Sequence, residues 1–415
     1  MVKWAKKIGV YAVSSMLILS GCVTNTGAPS GQGPSIGPQL SSVFDPKRDA
    51  IIDEEKHKLD VIIPVFDPGL PKDTNSQRKE GVWPELRRAE ANRFAYMLKR
   101  AMDDTGAFGA VRVTPDATAT GDIYVVGRII ESNGEDVAIE IDVRDITGEQ
   151  WFTRAFDHEV DVGFHKDIRN DGKDAYEPVF VEAANRIAIE LEDFSDAELQ
   201  QITQVTELRF AANMSDAAFS EYLVYDDGKA KLVSFPSDDD PMLNRTRSIR
   251  VRDQLFVDGL QEEYRTFNSQ METSYLIWQE QSLLEIEAER EVNRKAAGQA
   301  ALGALTIGLA ILAATAGSKS KSAAGSTAGT IGAVAAGAVA VGLFSESFQT
   351  AKEAKVHRDA LNELGESIDV DLGPRVIEFE KQTVTLTGDA KEQFAQWRQF
   401  LQKIYEQERT PEKQL

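Results

Sequence analysis

The sequence predicts an α+β protein with a β-α-β-β-β-β-α domain, a long helical stalk that carries an apolar glycine-zipper helix hairpin, and a small β-α element near the carboxy-terminal end. Three observations lead to this prediction. Strand-like apolar runs recur between residues 59 and 160, apolar residues follow helical spacing over 84–105 and beyond 253, and charges nearly vanish between 295 and 346. The chain has 415 residues, enough for about two or three folded units.

The first 22 residues have the organisation of a lipoprotein precursor. Lysines precede an apolar stretch from Ile8 to Leu19, which is too short for an ordinary membrane span. The tetrad Leu19-Ser20-Gly21-Cys22 follows, and it holds the single cysteine of the chain. This tetrad resembles the bacterial lipobox. The alternative is an ordinary secretory peptide with an incidental cysteine.

The lipobox resemblance implies that residues 1–21 are a signal peptide and that Cys22 becomes acylated. Since Val23 rather than Asp follows the cysteine, the sorting rule of such lipoproteins implies the outer membrane and a location on its periplasmic face. Residues 22–44 are rich in Gly, Pro, Ser and Thr, so we expect a flexible tether.

Residues 45–195 are predicted to form the α/β domain. Pro84 suits the first turn of a helix that Gly106 ends, and Asn133-Gly134 is typical of a tight turn between two strands. Thr147-Gly148 is expected to turn the chain into the last strand. The predicted strands are 59–66, 108–113, 122–130, 136–144 and 150–160, and the predicted helices are 84–105 and 176–191.

Three short runs in this domain carry a family resemblance: Gly106–Val111, Gly121–Gly127 and Asp145–Gly148. They resemble the α/β domain of curli-secretion-channel lipoproteins. They are also similar to the lipoprotein activators of penicillin-binding proteins and to the amino-terminal domain of the Tol-system propeller protein. The resemblance implies periplasmic partner binding or ring assembly, without catalytic residues.

Residues 196–295 are predicted to be mainly helical, with one long helix beginning near Asp253. Its apolar residues recur every three or four positions and form a stripe that can pack on a partner helix. The stripe consists of Phe256, Leu260, Tyr264, Phe267, Met271, Tyr275 and Trp278. We interpret it as core rather than as a ligand site, and the run Asp238–Asp240 as a solvated loop.

Residues 296–345 are predicted to form a membrane-type helical hairpin. Lys319 and Lys321 are its only charges, and they lie near a polar tip between two apolar halves. The second half has small residues four apart, which let helix backbones approach closely in lipid. These predicted helix-packing residues are Gly325, Gly329, Ala333 and Gly337, with Gly332 in a parallel row. The alternative is a soluble hairpin buried in an oligomer.

Residues 346–415 are predicted to hold a return helix followed by the small β-α element. Two alternating runs within 376–386 indicate a hairpin or one bent strand. Asp389 with Glu392 three positions later is typical of a capped helix start. An apolar stripe that includes Trp397 then follows, and we expect Trp397 and Tyr405 to be packing residues.

Composition and motifs argue against nucleic-acid binding and against catalysis. The formal net charge is −21, whereas phosphate binding requires clustered Lys and Arg. The four histidines are scattered, and no hydrolase, phosphate-loop or dinucleotide motif occurs. The run Asp167–Gly172 departs from a calcium loop, because Arg169 stands at the third ligand position. We therefore expect no enzyme activity, no metal site and no cofactor.

Together these observations predict a non-enzymatic outer-membrane lipoprotein that faces the periplasm and supports envelope assembly or secretion. Its expected partners are the membrane, further copies of itself and a periplasmic protein. The alternative is a monomeric lipoprotein adapter that binds and activates a periplasmic cell-wall enzyme. A periplasmic hydrolase is a third and weaker hypothesis, which would require a pocket with convergent carboxylates.

Overall fold

The structure is a computed structural model that describes residues 55–73, 77, 82–300, 355–379 and 382–407. These residues have a mixed α+β fold, as the sequence predicts, and they all lie in one unit of the chain, Ser41–Leu415. Within the side chains described, the apolar residues of the sheet and of the main helices join in one continuous core.

The centre of the fold is a five-stranded mixed sheet with the order β2-β1-β3-β4-β5. Its strands are β1 (Val61–Pro64), β2 (Val111–Thr114), β3 (Ile123–Ser132), β4 (Asp136–Asp145) and β5 (Gln150–Glu159). Strands β2 and β3 run parallel to β1, and the β3–β4 and β4–β5 pairs are antiparallel. The predicted strands are all present, although β1 and β2 are shorter than predicted.

Two helices pack on this sheet. Helix α1 (Pro84–Thr105) contacts β1, β2 and β3, whereas α2 (Glu177–Glu190) contacts β4 and β5. Pro84 occupies the start of α1, where the missing amide donor costs nothing. Gly106 ends the helix with φ +68°, a left-handed conformation that glycine adopts without strain. The bounds of α1 therefore agree with the prediction.

A second group of elements follows the α/β part. Helix α3 (Asp196–Met214) begins at a capping box, in which Ser195 and Glu198 satisfy each other's backbone amides. After the short helix α4 (Asp216–Phe219), β6 (Leu223–Asp226) and β7 (Lys229–Leu232) form a hairpin. This hairpin departs from the mainly helical structure predicted for residues 196–295.

The long helix α5 (Pro241–Ala300) has 60 residues and begins 12 residues before the predicted start at Asp253. The reason is an N-cap: Asp240 Oδ1 accepts from the amides of Met242 and Leu243 at 2.8 and 2.9 Å. Pro241 then occupies the first helical position. The run Asp238–Asp240 was predicted as a solvated loop, but its last residue, Asp240, is the N-cap of α5.

The apolar stripe of α5 is buried from Phe256 to Trp278, with none of its seven residues more than 7% exposed. The prediction of a core role is confirmed, and the helix contacts β2, α1 and α3 as well as two carboxy-terminal helices, Lys355–Leu364 and Ala390–Gln407. Over this length the helix is therefore part of the core rather than a projecting stalk. The spacing of apolar residues defines a buried face without specifying what covers it.

The carboxy-terminal part contains helix α6 (Lys355–Leu364), a hairpin of β8 (Arg375–Phe379) and β9 (Gln382–Leu386), and helix α7 (Ala390–Gln407). Of the two interpretations of 376–386, the hairpin is confirmed. Asp389 Oδ1 accepts from the amide of Glu392 at 2.8 Å, as the capping pattern predicts. Trp397 is 3% and Tyr405 1% exposed, so both are packing residues.

The predicted glycine-zipper hairpin lies almost entirely outside the described residues, apart from the backbone of 296–300 at the end of α5. None of the helices in the described ranges has both the length and the apolar character needed to cross a membrane.

Candidate interaction surface

The site residues predicted from the sequence all lie outside the described residues. They are Leu19, Ser20, Gly21 and Cys22 of the lipobox, and Gly325, Gly329, Gly332, Ala333 and Gly337 of the zipper. Within the described residues, the features that bear on binding are the two edges of the central sheet.

One edge of the sheet, strand β2, is closed by a side chain. Gln261 of α5 accepts from the amide of Val113 through Oε1 and donates to its carbonyl oxygen through Nε2, both at 2.9 Å. A glutamine thereby satisfies the backbone groups that a further strand would use. Arg112, the preceding residue, also bonds α5 through the carboxylate of Asp258.

The other edge, strand β5, has ten residues and no further strand beside it among the residues described. The amide of Val160 donates inward to the carbonyl of Glu135 at 2.8 Å. Because peptide groups alternate in direction along a strand, those of Thr153, Ala155 and Asp157 point away from β4. This edge offers unpaired donors and acceptors of the kind that a further strand binds.

Two strands away from this edge, the central strand β3 exposes apolar side chains. Val126 and Ile130 of β3 are 41% and 51% exposed, and they alternate with the fully or almost fully buried Val125 and Ile129. Antiparallel sheets commonly keep one face in water, but two large apolar residues on one strand are suited to a protein contact. The open edge and this exposed face together form the candidate interaction surface.

A buried polar cluster fastens α5 to the same domain. Arg93 of α1 is 1% exposed and pairs with Asp174 at 2.7 Å, and its Nη1 donates to Asn268 Oδ1 of α5 at 2.7 Å. Gln279, also on α5, donates to the second oxygen of Asp174 at 2.8 Å. Since buried charges require both a partner and further hydrogen bonds, this cluster fixes the position of α5 on the domain.

Glu90 lies at the centre of the neighbouring contacts and has no exposed surface. Ser132 Oγ and Tyr275 Oη donate to its Oε1 at 2.5 and 2.8 Å, and Arg87 lies 3.3 Å from its Oε2. Burial outweighs these favourable partners and raises the pKa of Glu90 to about 7. The carboxyl is inaccessible to a substrate, so we interpret it as a structural group that links α1, β3 and α5.

The contacts of α5 continue past the tip of the β3–β4 hairpin. Gly134 at this tip has φ +100°, and a Cβ there would lie 2.3 Å from Ser282 Cβ of α5. Farther along, Glu287 pairs with Lys166 at 2.9 Å, and Arg290 pairs with Glu135. The helix is thus held up to residue 290, shortly before the predicted apolar segment begins.

The histidines and the acidic run Asp167–Gly172 lie at different places in the fold. His57 Nε2 lies 2.8 Å from Thr203 Oγ1, and His357 Nδ1 lies 3.2 Å from Ser274 Oγ. Within this run, the guanidinium of Arg169 donates to the carboxylate of Asp167 and lowers the pKa of Asp167 to about 2. Within the described ranges no three His, Cys, Asp or Glu side chains are arranged to hold a metal ion.

Comparison of the chain with protein-family models, curated proteins and solved structures found no match.

Sequence reasoning missed both the Gln261 contact and the buried cluster. Glu90 and Arg93 interrupt the predicted apolar face of α1, which was a usable signal for a buried ion pair. Gln261 gave no comparable signal, because its partners are backbone atoms on a strand 148 positions away in the chain.

Proposed function

We propose that this chain is a non-enzymatic lipoprotein of the outer membrane whose α/β domain pairs with a second copy of itself and supports envelope assembly or secretion. The lipobox at residues 19–22 supports the lipid anchor. The candidate interaction surface supports the assembly. The anchor confines the copies to one membrane surface, which raises their effective concentration for pairing.

The observation that carries this proposal is the asymmetry of the sheet edges. Gln261 occupies the outer side of β2, so a β5 strand cannot add to β2 of the next copy. Self-association through the sheet is then limited to β5 against β5. Such a contact uses the same surface in both copies and closes as a two-fold dimer.

The sequence of β5 fits an antiparallel pairing centred on Ala155. In this register Asp157 of each copy lies opposite Thr153 of the other, so no like charges meet. Ala155 of one copy lies opposite Ala155 of the other, and this small side chain is exposed in the single chain. The two sheets would join into one sheet of ten strands, twice the five in one copy.

The position of α5 connects this dimer to the predicted apolar hairpin. Arg290 is still bound to Glu135 on the β3–β4 hairpin, so α5 is held on the domain shortly before residue 296. Pairing through β5 brings two such segments into one assembly. Their small-residue rows then provide a second contact, either in the membrane or between copies, which is the route to a larger ring.

Site-directed disulfide formation tests this pairing. Residues opposite each other in a hydrogen-bonded antiparallel pair have Cα atoms about 5.5 Å apart, which suits a disulfide. In the membrane-anchored chain, whose single native cysteine Cys22 carries the lipid and has no free thiol, Ala155→Cys is expected to yield covalent dimers on oxidation. Thr153→Cys is the matched control: its two copies would be separated along the strands by about 13 Å, and it should remain monomeric.

The double variant Thr153→Cys/Asp157→Cys should regain the cross-link, since these residues face each other in the proposed register. Equal cross-linking at residues 153 and 155 would contradict an ordered pairing. Absence of cross-links at residue 155 would refute the β5 dimer. Cross-linking of Ala155→Cys to a cell-wall synthase or hydrolase would instead support the adapter alternative, in which a strand of that enzyme occupies the same edge.

A further inference from the structure

A cavity lies where several elements meet, and none of the residues that line it belongs to β5. Its volume is about 460 Å³, within the usual range of small-molecule sites of about 300–1,000 Å³. Arg209 of α3 and Arg398 of α7 line it, together with Tyr124 of β3, Tyr225 of β6 and the loop before β3. Four secondary-structure elements therefore hold the lining side chains in place.

Each arginine is held by one end of its guanidinium. Arg209 Nη1 donates to the carbonyl oxygen of Ile146, and Arg398 Nη1 donates to the carbonyl oxygen of Thr118. Arg398 also lies 5.7 Å from the ring centroid of Phe394. Since one nitrogen of each group is bound to backbone, the remaining donors are oriented without being consumed.

Neither guanidinium forms an ion pair with a carboxylate in the part of the chain that the structure describes. Arg209 is exposed and Arg398 is half-buried, whereas the buried arginines Arg93 and Arg112 pair with carboxylates. Two positive charges that share a cavity and keep unused donors attract an anion.

The rest of the lining adds polar and apolar surface. Tyr124 Oη donates to the carbonyl oxygen of Ala119 at 2.9 Å. Burial raises the pKa of Tyr124, and the charges of Arg209 and Arg398 both oppose that rise, so all three groups act on one region. Phe210 and the 60% exposed Tyr225 provide apolar and aromatic contact.

One carboxylate, Asp216, stands at the exposed rim of the cavity. It leaves the lining with a net charge of +1, from two arginines and one aspartate. An anion that enters must therefore approach the arginines while avoiding Asp216. This arrangement favours a compact negative group at one end of the ligand and an uncharged body at the rim.

We infer that this cavity binds a small organic dianion, a phosphate monoester or a dicarboxylate, whose charged end lies between Arg209 and Arg398. The planar guanidinium donors match phosphate and carboxylate oxygens. The uncharged body of the ligand contacts Phe210 and Tyr225. The inference is independent of the β5 pairing, because none of these residues lies on that strand.

Isothermal titration of the full chain in mild detergent tests the inference, with phenyl phosphate, succinate and inorganic phosphate as probes. We expect one saturable site for phenyl phosphate or succinate. Arg209→Gln and Arg398→Gln should each weaken binding by about tenfold or more, as expected for loss of a charged hydrogen bond. Asp216→Asn should strengthen binding, since it removes a repulsive charge.

The matched control is Arg265→Gln, which removes an exposed arginine paired with Glu262 on α5 and should leave binding unchanged. Arg398→Lys keeps the charge while losing the planar donors, so intermediate affinity is expected if the packing of α7 tolerates the change. Circular dichroism verifies that each variant is folded. Absence of saturable binding for all three probes, or equal affinity in the wild type and both glutamine variants, would overturn the inference.

Discussion

Gln261 and Val113 form a two-way contact in which one side-chain amide replaces a strand: Oε1 accepts from the Val113 amide and Nε2 donates to its carbonyl, each at 2.9 Å. The contact joins helix α5 to the edge of the sheet. It makes the two edges of the sheet unequal, and the proposed pairing through β5 rests on this inequality.

Gln261→Leu tests the contact directly. In this variant the backbone amide and carbonyl of Val113 lose the partners that Gln261 provides. Because Val113 is fully buried, we expect a loss of about 1–3 kcal/mol in the free energy of unfolding. Gln270→Leu, at an exposed position of the same helix, is the matched control and should change stability little. Urea denaturation measures both, and equal stability of the two variants would contradict the proposed role of Gln261.

The raised pKa of Glu90 predicts a pH dependence of stability. Its pKa is about 7 in the folded protein and 4.5 as the ordinary value, so the unfolded chain loses this proton first as pH rises. Stability from this group is complete below pH 4.5 and is lost between about pH 4.5 and 7. Glu90→Gln removes the ionisation, so the variant should gain stability relative to wild type between pH 5 and pH 8.

Urea denaturation at pH 5 and pH 8 measures this relative gain, and we expect it to reach a few kcal/mol at most. Glu140→Gln, exposed on β4, controls for the loss of one negative charge. A difference between Glu90→Gln and wild type that stays constant across this pH range would show that the ionisation of Glu90 does not limit stability.

The buried pair of Arg93 and Asp174 should be costly to break. Asp174→Asn leaves Arg93 with an uncompensated buried charge, so we expect a loss of about 3–5 kcal/mol. Glu262→Gln breaks an exposed pair with Arg265 and should cost less than about 1 kcal/mol. Thermal unfolding compares the two variants, and similar melting temperatures would argue against the fastening role of the buried cluster.

Gly127 marks a close approach between β3 and Phe66. A Cβ at this position would lie 2.3 Å from the Phe66 ring, so we expect Gly127→Ala to cost about 1–3 kcal/mol through overpacking. Gly373→Ala, with open space around it, is the control. Adding Phe66→Leu should recover part of the loss in Gly127→Ala. Strict additivity of the two substitutions would contradict the contact as the cause.

The local elements were the most predictable part of the fold. Pro84 and Gly106 set the ends of α1, and Asn133-Gly134 set the β3–β4 turn, because caps and turns depend on a few neighbouring residues. The start of α5 was misplaced although Asp240-Pro241 is a helix signal, since the preceding aspartates resembled a loop.

The partners of these elements could not be read from the same patterns. Helical periodicity identified the buried face of α5, but not that β2, α1, α3, α6 and α7 cover it. The two arginines of the cavity are 189 positions apart in the chain, and each looks like an ordinary surface residue in sequence. Spatial convergence of distant residues leaves no local pattern, and the candidate sites therefore came from the structure.

The mass of the acylated chain in a mild detergent tests the proposed assembly most directly. Light scattering should give dimers or larger species for the wild type. Ala155→Pro removes an amide donor on the outer side of β5 without removing a bond to β4, so this variant should shift towards the monomer while retaining its secondary structure. A wild type that is monomeric at all concentrations, or an oligomer that Ala155→Pro leaves intact, would contradict assembly through β5.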